Sequence, residues 1–200
     1  MPMSLKPRID AAALAQLFTE ARTPGGWLPE PVPPALLQEL HALASWPPTS
    51  MNCQPMRLVF ITSAAAKERL VPCLSPGNVD KTRAAPVTAI VAYDTQFYEL
   101  FPQVWHGAGA RDSFAANPAL AAATATRNGT LGGGYFILAA RALGLDCGPM
   151  SGFAADKVDA EFFPDGRWKS NFLCNLGVAD PARQHPRNPR LGFDEACRVL

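Results

Sequence analysis

Pro48-Thr49-Ser50-Met51-Asn52-Cys53-Gln54-Pro55 is the stretch from which the rest of the chain can be read. Prolines fix φ at both ends and remove two backbone donors. Between them stand Thr49, Ser50, Asn52 and Gln54, side chains that hydrogen-bond without carrying charge. In an extended segment, polar residues at alternate positions point the same way. A cluster of this composition is ordinarily a surface loop between two elements. A loop that offers its polar side chains to a ligand is the other reading.

The flanks supply those elements. Upstream, Pro34 opens a helix whose Leu36, Leu37, Leu40 and Leu43 form an inward stripe, and Trp46-Pro47-Pro48 stops it. An earlier helix starts at Asp10, a side-chain cap, presents Leu14, Leu17 and Phe18, and ends near Ala21. Arg22-Thr23-Pro24-Gly25-Gly26-Trp27 follows as a turn-rich loop. Downstream, Leu58-Val59-Phe60-Ile61 reads as a strand and Ser63 caps a helix to about Leu74. Ser75 to Lys81 reads as a loop, and Val87 to Tyr93 as a strand apolar enough to be central. From Phe97 to Asn117 periodicity gives way to Phe97, Tyr98, Phe101, Trp105 and Phe114, too aromatic for disorder. A segment of that length suggests a lid or pocket wall.

Asn117-Pro118 starts a helix that can run to Leu143, with Gly144 as its stop. Gly132-Gly133-Gly134 inside it costs about 1 kcal/mol per residue relative to Ala. Such glycines imply close approach of another backbone or a ligand, or else a break in the helix. Cys147 to Phe153 follows, then a short helix from Ala155 to Phe162, a strand from Asn171 to Gly177, and a tail rich in Pro and Arg. Helices intermixed with three to five short strands indicate an α+β sandwich in one domain, residues 1–200. No GxGxxG follows a strand, so a dinucleotide-binding Rossmann domain is not supported.

Composition removes several classes of function. A net charge of +1 gives no electrostatic case for nucleic acid or an anionic membrane. The start of the chain lacks an apolar signal core, and Arg141 interrupts the best apolar run, so the expectation is a cytoplasmic protein outside the membrane. The five cysteines are scattered, without CxxC and away in sequence from His41, His106 and His185. Neither a disulfide framework nor a metal site is expected. Among the 18 basic residues 13 are Arg, the better fork for phosphate.

Pro-Thr-Ser-x-Asn-x-Gln-Pro leading into a strand resembles the flavin-contacting loop of the nitroreductase family. The resemblance implies a mixed sheet flanked by helices, in a homodimer that binds flavin mononucleotide (FMN) at its interface. Arg22-Thr23 occupies the place of the family's Arg-Ser pair, which holds the FMN phosphate, and Arg187-Asn188-Pro189-Arg190 resembles the Arg-x-Pro motif that completes that site. A further basic residue is usual where Gly25 stands, so part of the phosphate grip is weaker or comes from elsewhere. Ser50 and Asn52 match flavin-contacting positions commonly offered by the partner subunit. Asn78 and Lys81 fall where the family places residues near the pyrimidine and ribityl parts. Pro149, Ser151 and Gly152 fall in the segment whose backbone N–H groups contact flavin N5, with Ser151 where Glu is frequent.

The runs Gly77 to Thr82, Ala85 to Ala92, Arg127-Asn128 and Gly148 to Phe153 are similar to one branch of the family. That branch reduces malonic semialdehyde to 3-hydroxypropionate with NADPH in pyrimidine utilisation. Arg111 is then the candidate seat for the substrate carboxylate, which needs a cation in a closing pocket. No side chain stands out as an acid or base, and Cys53 is a weak candidate nucleophile. The alternatives are a broad nitro- or quinone reductase and a flavin-binding protein without turnover.

Overall fold

β2 (Val87–Asp94) is apolar at nearly every position because both of its faces are covered. Val87, Ala89 and Val91 face one side, packed with Leu37, Leu40, Phe136 and Ala140. Ile90 and Ala92 face the other, packed with Leu70, Val158 and Phe163. This alternation follows from the two-residue period of a strand. The structure, a computed structural model, describes residues 6–200.

Four strands run in the order β1-β2-β4-β3, with β1 Met56–Ile61, β3 Asp146–Met150 and β4 Trp168–Gly177. All three pairings are antiparallel, so within the described chain the sheet is antiparallel rather than mixed. One face carries α2 (Pro34–Ala44) and α7 (Pro118–Ala142), the other α3 (Ala64–Leu70) and α8 (Ala155–Phe162). Asp10 caps α1 (Ala11–Leu14) through Ala13 N–H, and a π-turn then carries the chain to Thr19.

Two elements differ from the sequence reading. Ser75 to Lys81 is not a loop: Ser75 precedes α4 (Pro76–Ala84), where Pro76 takes the first helical position and costs no hydrogen bond. Cys147 to Met150 belongs to β3 although it holds Gly148 and Pro149. An edge strand tolerates a residue without an N–H.

The aromatic segment is ordered. It forms a 3₁₀ turn, α5 (Phe101–Val104) and α6 (Ala110–Ala115) around a third core. Phe97 packs edge-on against Phe114 at 5.1 Å and Phe101 at 5.9 Å, so these rings are packing material rather than an open pocket wall. Gly132 and Gly133 do not break α7. A Cβ on Gly133 would lie 2.5 Å from Phe172, and one on Gly132 3.0 Å from Met56. Their close approach is to the sheet of the same protomer.

Among the described residues, Asp94, at the end of β2, is the buried carboxylate, its side chain 1% exposed. Arg167 grips it through two hydrogen bonds of 2.9 Å and Arg57 through a third of 2.9 Å. Burial alone would raise the Asp94 carboxyl. The hydrogen bonds from Arg167 and Gln96 N–H and the two guanidinium charges outweigh it and hold the group below its usual range. A depressed folded-state pKa contributes stability that is complete above the unfolded value, about 3.9, and is lost as pH falls through the folded one. The melting temperature is therefore expected to fall as pH drops below about 4, and Asp94→Asn should blunt that dependence. At neutral pH the variant should lose roughly 3 kcal/mol in denaturant titrations, because two partly buried guanidinium groups lose their counter-charge.

Candidate functional site

The Pro48–Pro55 loop is not extended. It folds into a 3₁₀ turn over Ser50–Asn52 and carries every positive-φ non-glycine residue of the described chain: Met51 at 52°, Asn52 at 51° and Gln54 at 40°. Left-handed backbone costs an L-residue about 1–2 kcal/mol, and such strain concentrates at functional sites. The surroundings impose it. Ser50 N–H donates to the buried Asn128 amide at 2.9 Å, and Asn128 donates in turn to Thr124 C=O at 2.8 Å. Asn52 Nδ2 donates to Val104 C=O at 2.8 Å. Arg57 donates to Gln54 C=O at 2.9 Å, and Asp94 N–H to Pro55 C=O at 2.8 Å. Ser50 and Asn52 remain exposed.

Cys53 belongs to the aromatic core, 2% exposed. Burial pushes its thiol up to about 11, against smaller lowering effects of Thr49 and the backbone. A group that is almost wholly protonated at neutral pH is no nucleophile.

On the opposite edge of the sheet, most of the other sequence candidates come together. Arg22, Thr23, Lys81, Arg187 and Arg190 line one cavity of about 640 Å³. Thr23, Lys81 and Pro149 also line a neighbouring cavity of about 20 Å³. Asn78, on α4, donates to Gly152 C=O at 2.9 Å, which fixes the turn after β3 that carries the exposed Ser151. The tail is clasped to the first loop from both sides: Arg22 donates to His185 C=O, and Arg187 to Ala21 C=O.

Arg141, Arg183 and His185 line the same cavity, and sequence reasoning missed all three in this role. In the sequence Arg141 reads only as an interruption of an apolar run, and the tail lacks periodicity. Its Arg content was the available signal. They also account for Gly25. A Cβ there would lie 2.0 Å from the Arg183 carbonyl oxygen and 3.4 Å from His185 Nε2. The tail occupies the space a basic side chain would need, and it brings Arg183 and His185 in its place.

Charge is sorted across the surface. Arg57, Arg69, Arg83, Arg111 and Arg167 all pair with carboxylates. Among the described residues, Arg22, Arg141, Arg183, Arg187 and Arg190 have no such partner; neither do Arg8, Arg127 and Arg198 away from the cavity, and Asp80 is the one acid lining it. Five guanidinium groups around a single carboxylate leave the cavity net positive, which is chemistry suited to an anion, and the fork suits phosphate.

Arg111 is not part of this seat. It stands exposed on α6 and is bound to Glu99 at 2.9 Å and to Asp112 at 3.0 Å, so its charge is already answered.

Two outcomes follow. In the native protein Cys53 should resist iodoacetamide at pH 7.5 while the exposed Cys197 reacts, as peptide mapping would show. Gly25→Arg should not strengthen anion binding. It should push the tail off Arg183, costing about 1–3 kcal/mol as an overpacked site does, and speed proteolysis beyond residue 180.

Residues 26–178 match the model of the nitroreductase family. A protein of Ralstonia nicotianae, provisionally named NADH dehydrogenase/NAD(P)H nitroreductase, is 57% identical over 97% of this chain and 100% of its own length. A similarly named protein of Rhodopseudomonas palustris is 55% identical over 94% and 95%. Among solved structures, a Bacillus subtilis protein provisionally termed a nitroreductase superimposes with a TM-score of 0.81 at 21% identity, covering 96% of this chain and 100% of that one. An Exiguobacterium sibiricum relative solved in complex with FMN gives 0.80 at 18% identity, covering 98% and 100%. The chain belongs to the nitroreductase family.

Proposed function

We propose that this protein is an FMN-dependent NADPH reductase that works as a homodimer and reduces malonic semialdehyde to 3-hydroxypropionate. The observation that carries the cofactor assignment is the cavity of unpaired cations next to the β3 turn. Arg22, Arg187 and Arg190, with Arg183 and His185, would hold the phosphate. Lys81, shared between the two cavities, would lie beside the chain and ring beyond it. Asn78 holds the Pro149–Gly152 turn whose backbone would face the ring. A bound flavin supplies the hydride relay between nicotinamide and acceptor.

The dimer explains why the candidate residues fall into two groups. β1 and β3 are opposite edges of a four-stranded sheet, roughly 14 Å apart at about 4.8 Å per strand. Ser50 and Asn52 precede one edge, and Pro149, Ser151 and Gly152 stand at the other. A second copy would bring its Ser50 and Asn52 to this site. Exposed Leu43, Leu120, Leu131 and Tyr135 on α2 and α7, with Trp46 just beyond α2, support such an interface.

The aldehyde rests on the runs around Gly77–Thr82 and Gly148–Phe153. The relatives' names favour a broader NAD(P)H nitroreductase. The purified protein should show flavin absorption bands that bleach on anaerobic NADPH addition. A spectrum without flavin removes both readings. If kcat/KM for malonic semialdehyde falls several orders of magnitude below that for a nitroarene or quinone, the broader reading replaces the specific one.

A further inference from the structure

Trp27 is 9% exposed, and its indole N–H is buried without a hydrogen-bond partner. Buried donors are nearly always satisfied, so an unpaired one marks a missing acceptor. The indole lies across the β3–β4 edge, where two glycines make room for it. A Cβ on Gly148 would meet Trp27 Cζ2 at 3.1 Å, and one on Gly177 would meet Cε3 at 3.2 Å. Cζ2 belongs to the ring edge that carries Nε1. Gly148 lines the 20 Å³ cavity and Gly177 does not, so the N–H lies on the cavity side.

The rest of that lining offers donors as well. Thr23 contributes a hydroxyl and Lys81 an ammonium, and no side-chain hydrogen bond among the described residues engages either. Asn175, the remaining polar side chain there, is already committed: it accepts from Thr88 at 2.7 Å and donates to Thr82 at 3.5 Å. The uncommitted side chains of the lining are thus two N–H donors and one hydroxyl, with no carboxylate among them. Its volume exceeds the roughly 10–15 Å³ that one oxygen-sized group requires.

We propose that this cavity is a seat for one hydroxylic oxygen, held by the Trp27 indole N–H, the Thr23 hydroxyl and the Lys81 ammonium. The oxygen comes either from the polyol chain of the flavin or from an ordered water. The first source rests on the FMN reading above and follows from continuity. Thr23, Pro24 and Lys81 line both this cavity and the cationic one, so a chain leaving a seated phosphate passes the indole. Trp27 would then be a cofactor-positioning residue that reads the polyol rather than the ring or the phosphate.

Indole-¹⁵N-labelled protein tests this directly, since the chain has four Trp. The Trp27 N–H peak is assigned by its loss in Trp27→Phe. If that variant does not fold, Trp46→Phe, Trp105→Phe and Trp168→Phe assign it by elimination. A downfield shift with FMN and with riboflavin, which has the polyol and no phosphate, but not with lumiflavin, which has the ring alone, identifies the flavin polyol as the source. Trp27→Phe should then weaken FMN about tenfold and leave lumiflavin unchanged. A peak already downfield without flavin, with a cross-peak to solvent, identifies water. A peak at the position of a free indole N–H in every state overturns the proposal. Failure to take up FMN sinks the cofactor reading by itself, and the flavin-free spectrum still decides whether the seat is filled.

Discussion

The grip of Arg57 and Arg167 on Asp94 is the constraint on which the geometry depends. Asp94 closes the central strand, and Arg167 ties the start of β4 to it. Arg57 also donates through Nη1 to the carbonyls of Met56 and Gln54, the latter one of three residues held in left-handed backbone. A loop that stores a few kcal/mol of conformational strain needs a firm anchor where it meets the sheet, or it relaxes into an ordinary turn. Asn128 supplies the second anchor from the middle of α7. The polar loop is thus set by a buried charge cluster on one side and a buried amide on the other.

Helix existence was legible wherever a cap and a stripe agreed. Asp10, Ser63 and Asn117 each cap the helix that their position announces. The failures have local causes. Gly77 and Asn78 argue for a loop by propensity, but α4 starts with Pro76, whose fixed φ suits the first helical position. Pro149 hides β3, since a proline is admissible only at a sheet edge and edge position is a tertiary property. The glycines of α7 announced a close approach but not its partner, because Phe172 lies 39 residues away in sequence.

For the site, resemblance located Arg22, Thr23, Lys81, Arg187 and Arg190, and the fold draws those five around one cavity. Arg141, Arg183 and His185 lay beyond reach because they join through long-range contacts such as Arg22 with His185 C=O. Gly25 was visible as a departure, and its meaning emerged only when the tail was seen lying on it. Arg111 shows the converse. A lone arginine in an aromatic segment looks available until Glu99, twelve residues earlier, is found beside it.

The sorting of arginines has a consequence for the lifetime of the protein. Positive groups gathered around a single acid, Asp80, repel one another, and that repulsion opposes the docking of the tail that helps build the cavity. An anion seated there removes the repulsion and adds stability by mass action, about 2.7 kcal/mol at a hundredfold excess over its dissociation constant. The segment beyond residue 180 is exposed along its whole length. On the anion-site reading proposed above, its survival against proteases would be coupled to ligand supply, and a cell short of that ligand would hold less of the protein at an unchanged rate of synthesis.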